Sequence, residues 1–244
     1  MTRLDGRDSL DLRTLKITPR FFGHAEANVL IEMGKTAVLC SVTHQPGVPK
    51  FLKGSALGWL TAEYQMLPCS THDRSLRDSQ RSSPNGRALE IQRLIGRTLR
   101  HCIALDKIGE STLIVDCDVL QADGGTRIAA INGSAIALGI AMHRLEKHKK
   151  VASGAFKGLI GGISCGYVHN EFLIDLAYQE DSQASTDAFW IIDENERIIE
   201  QDSCAEQVPL SHERWLALTQ HAHQASVAIM HWQKQQLANI LSQL

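Results

Sequence analysis

Asp123-Gly124-Gly125-Thr126-Arg127 puts two glycines, a hydroxyl and a guanidinium between a β-branched run and a long apolar run. Residues 111–121 are partly alternating and read as a strand, while residues 128–147, rich in Ala, Ile, Leu and Met, read as a mostly buried helix. Glycines at a helix start leave backbone N–H groups free, and the helix dipole adds a partial positive charge there. With the Thr126 hydroxyl and the Arg127 guanidinium, that is chemistry for one phosphate-sized anion. The plainer alternative is a Gly-Gly turn beside an incidental surface arginine.

A second set is basic. Arg74, Arg77, Arg81, Arg87, Arg93, Arg97 and Arg100 fall within one stretch that holds no lysine and, as acids, only Asp78 and Glu90. Arginine makes planar, bidentate contacts with phosphates, so this usage suits a phosphodiester chain, with a solvated loop and helix-surface ion pairs as the alternative. Arg87 follows Gly86 at a helix start, as Arg127 follows Gly125-Thr126, so two helix starts with arginines can converge on one anion. A third set is acidic: Asp181 and Asp187 lie between two strand-like runs and can share a divalent cation such as Mg²⁺ with water and substrate oxygens. An acidic turn capping local N–H groups is the alternative. Anion cradle, carboxylate pair and basic path together are the inventory for phosphoryl chemistry on a polyanion. Neither a Walker lysine motif nor a kinase-type glycine loop is present, which leaves ATP-driven chemistry unsupported.

The elements that must position these groups follow from patterning. Strands are expected at 12–18, 25–33, 36–43 and 58–66, with a hairpin turn at Gly34-Lys35. Residues 68–84 read as an exposed arginine-bearing loop, and 86–105 as a helix with an apolar stripe. Further strands are expected at 157–168, 171–178, 186–193 and 197–201, and a helix over 212–241 capped by Ser211. With no composition break in 244 residues, the chain reads as one α+β domain spanning 1–244. Hydrophobic content of 43% and a net charge of −2 exclude a globally basic coat, though not a local basic face. The beginning of the chain lacks the apolar run of a secretory signal, and no apolar run reads as long enough to span a bilayer, so a cytoplasmic protein without membrane contact is expected. The six cysteines are scattered, and buried free thiols are expected for most.

Arg3-Leu-Asp-Gly-Arg7, Val48-Pro-Lys-Phe-Leu-Lys-Gly54, Gly58-Trp-Leu-Thr-Ala-Glu-Tyr64, Met66-Leu-Pro68, the run Leu89 to Arg97, the run Asp116 to Arg127 and Glu180-Asp181-Ser182 together resemble bacterial ribonuclease PH nearly end to end. The resemblance implies a fold of two βαβα-type halves and a homohexamer, a trimer of dimers. It implies a phosphate-dependent 3′→5′ exoribonuclease that trims tRNA precursor 3′ ends, releases nucleoside 5′-diphosphates and can add nucleotides in reverse. It places the phosphate site on Arg87, Gly125, Thr126 and Arg127, and the catalytic and metal-binding aspartates on Asp181 and Asp187. Arg74, Arg77, Arg81, Arg93 and Arg97 would then bind RNA, with inorganic phosphate as co-substrate.

Some positions depart from the family pattern: Cys69 where arginine is usual, Ala88 where threonine is usual, Ala27-Asn28 where Gly-Ser is usual, and Ala184-Ser-Thr-Asp-Ala-Phe189 where Ala-Asp-Thr-Asp-Met-Asn is common. Cys69 removes a positive charge from the RNA path, and Ser185 a carboxylate near the metal. The phosphate ligands and both aspartates are kept, so weaker RNA binding is expected rather than lost chemistry. Because related ring complexes include non-catalytic members, a ring-forming RNA-binding or scaffold subunit that has lost turnover is the competing expectation. A small-molecule phosphate sensor is disfavoured by the long arginine stretch.

Overall fold

Alternation of apolar and polar residues builds two sheets, and one apolar helix binds them together. The structure, a computed structural model, describes residues 3–244 apart from 4, 21, 22, 78, 79, 81 and 84, with the backbone alone of Arg20. The first sheet comprises β1 (Leu15–Arg20), β2 (Ala27–Met33), β3 (Thr36–Pro46), β4 (Trp59–Met66) and β5 (Ser111–Gln121) in the order β1-β2-β3-β5-β4. Its pairings are antiparallel except β4 with β5. A parallel pair needs a crossover, which α1 (Gly86–Leu99) supplies, and α2 (Thr126–Lys147) follows β5. The second sheet is antiparallel, β7-β6-β8-β9, from β6 (Ile160–Val168), β7 (Glu171–Ile174), β8 (Ala184–Asp193) and β9 (Ile198–Ala205). The one-turn α3 (Tyr178–Asp181) joins β7 to β8, and α4 (His212–Leu241) closes the chain.

Period-two patterning sets the inward face of β5. Leu113, Val115, Cys117 and Val119 are buried, while Asp116 and Asp118 point outward and Glu63 of β4 pairs with Asp116 in register. Partial burial, then the neighbouring carboxylates, raises the pKa of Asp116 and of Asp118. α1 packs on β4, and α4 packs on β6 and β8. α2 packs on β2 and β3 on one side and on β6 on the other, so both halves share it. Its buried Asn132 acts as a substitute strand: the Asn132 amide donates to the Gly162 carbonyl (3.0 Å) and accepts from the Gly162 N–H (2.9 Å). The Gln233 amide of α4 donates to the Asn132 carbonyl at 3.1 Å, completing a polar seam inside the core.

Among the described residues α2 is by length and mean hydropathy apolar enough to cross a bilayer, which corrects the reading that no run is long enough; 89% of its apolar window is buried by the rest of the fold, as in a core helix. Cys40, Cys102, Cys117 and Cys165 are buried free thiols, whereas Cys69 and Cys204 are exposed. Burial pushes the Cys165 thiol up to about 12, which keeps it protonated and unreactive.

Several boundaries differ from the patterned expectation: α1 ends at Leu99 rather than 105, where the chain tightens into a 3-10 turn at Arg100–Cys102, β6 begins at Ile160 rather than 157, and three others show their cause or character. β7 stops at Ile174 rather than 178, because Asp175 turns into the left-handed region with φ +54°. Its N–H donates to the Ser164 carbonyl (2.7 Å), and its fully buried carboxylate accepts from the Arg13 backbone N–H (2.8 Å) and the Arg13 guanidinium (2.7 Å). For the same reason Leu12 and Arg13 leave the first strand, which begins at Leu15. β9 runs on to Ala205 as an edge strand whose charged residues show little alternation.

Candidate active site

The two glycines of the 123–127 turn hold the left-handed conformation, φ +78° at Gly124 and +65° at Gly125. Gly125 is the N-cap of α2 and no side chain caps that end, unlike α1, where Asn85 accepts from the Arg87 N–H, and α4, where Ser211 accepts from the Arg214 N–H. The turn's carbonyls are drawn inward. The Arg13 guanidinium donates to the Asp123 carbonyl (2.7 Å), and the Thr36 hydroxyl donates to the Gly124 carbonyl (2.7 Å) while accepting from the Asp123 N–H (2.9 Å). With these carbonyls tied down, the N–H groups at the start of α2 are left for an anion. A side chain on Gly124 would lie 2.6 Å from the Leu176 carbonyl oxygen, so the turn packs backbone to backbone against the segment leading to Asp181.

Thr126 and the buried Tyr64 of β4 share a 2.8 Å hydrogen bond. With the phenol donating, the Thr126 hydroxyl proton is free to point at an anion. Burial raises the Tyr64 pKa, opposed by the Thr126 hydrogen bond and by the charges of Arg87 and Arg127. The charges of both arginines, from the starts of α1 and α2, thus act on one phenol. The Arg127 guanidinium lies 5.5 Å from the centre of the Phe189 ring.

Asp181 ends α3 and Asp187 lies on β8. Asp181 is exposed as a residue, yet burial of its carboxyl and then the charge of Asp187 raise its pKa, with Arg127 and Arg87 pulling it down. The charges of Asp187, Arg127 and Arg87 thus all act on the Asp181 carboxyl. Two like charges so placed favour a cation between them. Among the described residues no group of three His, Cys, Asp or Glu side chains could hold a metal. The pair fits a hard ion such as Mg²⁺ that keeps waters and substrate oxygens, and does not fit an enclosed metal cage.

Glu180 serves a different purpose from its neighbour. Arg3 donates to both its carboxylate oxygens at 2.7 Å, and the Ala177 N–H donates at 2.8 Å. Burial opposes ionisation of Glu180, but Arg3, the Ala177 N–H and Arg7 prevail and lower its pKa. Arg3 also donates to the carbonyls of Ile174 (2.9 Å) and Asp175 (3.0 Å), and Arg7 donates to the carbonyl of Asp11 (2.9 Å). Residues 3–13 thus strap the segment that carries Asp181. Nothing in residue spacing singles out Tyr64, Arg13, Thr36 or Asp175, whose partners lie from 62 to 162 positions away. The motif Arg3-Leu-Asp-Gly-Arg7 entered only as part of the family resemblance, which says nothing of its contacts with Glu180 and residues 174–175.

The arginines expected to meet RNA divide. Arg74, Arg77, Arg87 and Arg93 are exposed, and Arg81 lies outside the described residues. Arg97 is instead paired through both nitrogens with Glu200 of β9, one contact at 2.6 Å, so its charge is spent on joining the halves. Arg100 lies over the Trp59 ring at 4.5 Å and donates to the Leu60 carbonyl at 3.1 Å, fastening α1 to β4.

The uncapped start of α2 with Thr126 and Arg127, and the acidic residues Asp181 and Asp187, are set on a fold of two sheets about a shared helix. Residues 11–142, more than half of the chain, match the 3′ exoribonuclease family, domain 1 (RNase_PH), and the chain belongs to this family. The match takes in the first sheet, α1, the cradle and most of α2, and ends before the aspartates. Solved structures extend the likeness over both halves. Rice (Oryza sativa) Rrp46 superposes with a TM-score of 0.78 at 21% identity, covering 97% of this chain and 100% of that one. An Archaeoglobus fulgidus exosome with RNA bound to the active site gives 0.77 at 19% identity, covering 93% and 91%. An archaeal exosome core gives 0.75 at 19% identity, covering 95% and 91%. At such identities the likeness is one of fold.

Proposed function

We propose that the chain is a phosphate-dependent 3′→5′ exoribonuclease, working in a ring with further copies of itself in the cytoplasm. The observation that carries this reading is the start of α2, where no side chain caps the helix, Arg13 and Thr36 tie the Asp123 and Gly124 carbonyls inward, and the Thr126 hydroxyl pairs with Tyr64. Inorganic phosphate sits on the free N–H groups of α2, the Thr126 hydroxyl and the two guanidiniums, which offset its repulsion from the RNA. Its oxygen attacks the terminal phosphodiester in line, and the bond to the 3′ oxygen of the preceding nucleotide breaks. The products are a nucleoside 5′-diphosphate and an RNA shorter by one, with tRNA precursor 3′ ends the substrate suggested by the resemblance to bacterial ribonuclease PH. Asp181 and Asp187 would hold Mg²⁺, which supplies charge neutralisation at the scissile phosphate.

A second reading, a ring subunit that binds RNA without turnover, is favoured by the company the fold keeps. The similar structures are an Rrp46 protein and archaeal exosomes, and they support a ring subunit better than a free-standing trimming enzyme. Cys69, Ala88 and Ser185, where the ribonuclease PH pattern has other residues, point the same way. One assay separates the readings: pure protein with a 3′-extended tRNA, with and without phosphate and Mg²⁺, scored for nucleoside diphosphates. Phosphate-dependent shortening is expected, and Arg127→Ala lowers it by roughly 10²–10³ while leaving the assembly intact. Binding without shortening would establish the scaffold, and shortening indifferent to phosphate would remove the cradle's assigned role.

A further inference from the structure

Phe189 follows Asp187 by two residues on β8, so the two side chains share a face of the second sheet. The ring is almost wholly buried, and it is the ring over which the Arg127 guanidinium lies. Among the described residues, no hydrogen bond or ion pair holds Arg127. The ring is itself fixed. Ser164 of β6 stands opposite Phe189 in register, and its hydroxyl comes within 3.4 Å of where a side chain on Gly125 would begin. Phe189 is therefore lodged between the second sheet and the first turn of α2.

The chemistry of that contact matters for an anion site. A carboxylate beside Arg127 would orient the guanidinium but also neutralise it and occupy its N–H fork. An aromatic face attracts the cation through its quadrupole and accepts none of the five N–H donors. Arg127 is thus oriented with its charge and its donors available, on the same strand face that presents Asp187. The contrast is with Arg97, whose fork is closed by Glu200, and with Arg13, whose donors are used on Asp175 and the turn carbonyls.

We propose that Phe189 is the positioning residue of the phosphate cradle: its ring aims the Arg127 guanidinium at the incoming phosphate while leaving it unneutralised. This rests on the reading of Gly125, Thr126, Arg127 and Arg87 as a phosphate site. Phe189 touches neither phosphate nor RNA and acts through Arg127 alone.

The test uses the full chain with Phe189→Leu, Phe189→Met and Phe189→Trp, and Arg127→Ala as reference. Inorganic phosphate binding is measured by calorimetry without RNA, and the KM for phosphate and kcat in the RNA-shortening assay. Leu and Met are expected to weaken phosphate binding roughly three- to tenfold, and Trp to restore it, as a cation–π contact requires. KM for phosphate should rise in parallel, with kcat at saturating phosphate within about twofold of wild type, since uniform binding is what is lost. Wild-type phosphate affinity in the Leu and Met variants, with binding lost in Arg127→Ala, would overturn the proposal and leave the cradle standing. Equal weakening in all three Phe189 variants would also overturn it, by pointing to packing in place of an aromatic face. Arg127→Ala that binds phosphate like wild type would remove the cradle reading, and this proposal with it.

Discussion

Gly124→Ala separates backbone strain from steric conflict at the heart of the site. At φ +78° an alanine bears the left-handed penalty of about 1–2 kcal/mol. Its methyl group would also meet the Leu176 carbonyl oxygen at 2.6 Å, the Ala177 carbonyl carbon at 2.8 Å and the Tyr178 nitrogen at 2.8 Å. All three are backbone atoms, so relief requires moving the chain, and overpacking of that kind costs roughly 1–3 kcal/mol more. The total is roughly 2–5 kcal/mol, which at a urea m-value of about 3 kcal/mol/M lowers the denaturation midpoint by roughly 1 M. Gly109→Ala is the control: φ is +65°, with nothing within 4 Å of the added carbon, so it bears the backbone penalty alone. Urea unfolding followed by circular dichroism should place the Gly124 variant clearly below the Gly109 variant. Coincident midpoints would refute the claim that the turn is wedged against residues 176–178. Because that segment carries Glu180 and Asp181, the folded Gly124 variant should also lose phosphate-dependent RNA shortening, whereas the Gly109 variant keeps it.

Tyr64→Phe removes the phenol from the Thr126 hydroxyl and leaves the packing of β4 unchanged; a lost hydrogen bond of about 1 kcal/mol predicts roughly fivefold weaker phosphate binding by calorimetry, and unchanged affinity would dismiss the relay through Thr126. Asp118→Asn relieves a carboxylate whose folded pKa is raised by burial and by Glu63, so the native state is disfavoured once pH climbs above the ordinary carboxylate range. The variant should melt higher than wild type at neutral pH, by on the order of 0.5 kcal/mol given its partial exposure, and the gain should vanish in acid, where both states bind the proton. An advantage that persists at low pH would show that charge is not its source.

The legible parts of this chain were those governed by near neighbours. β5 spans Ser111–Gln121 as its alternation requires, and α4 spans His212–Leu241 behind the Ser211 cap, because period and cap chemistry are local. Asp175 shows where that ends. The apolar run of residues 171–178 favours a longer strand, but a carboxylate claimed by Arg13, 162 positions away, turns the chain at Ile174. Arg97 shows the same for the site. The family resemblance set it with Arg93 among the RNA-binding arginines, whereas in the fold it pairs with Glu200, 103 positions on. The turn at the start of α2 was readable because Gly-Gly before a helix is a local statement about backbone; the carbonyl ties from Arg13 and Thr36 that hold it are not.

Those distant ties explain why the site exists only in the assembled fold. The cradle belongs to the first half and the aspartates to the second, and three separate devices hold them in register. Arg3 and Arg13 clasp Glu180 and Asp175 on the segment bearing Asp181. Asn132 and Gln233 join α2 to β6 and α4 inside the core. Arg97 and Glu200 close the outer seam between α1 and β9. Each buried ion pair carries a desolvation penalty that apolar packing avoids. The Arg13–Asp175 pair bears that penalty directly beneath Gly124-Gly125, where the same guanidinium ties the Asp123 carbonyl and holds the turn in one geometry against the segment that leads to Asp181.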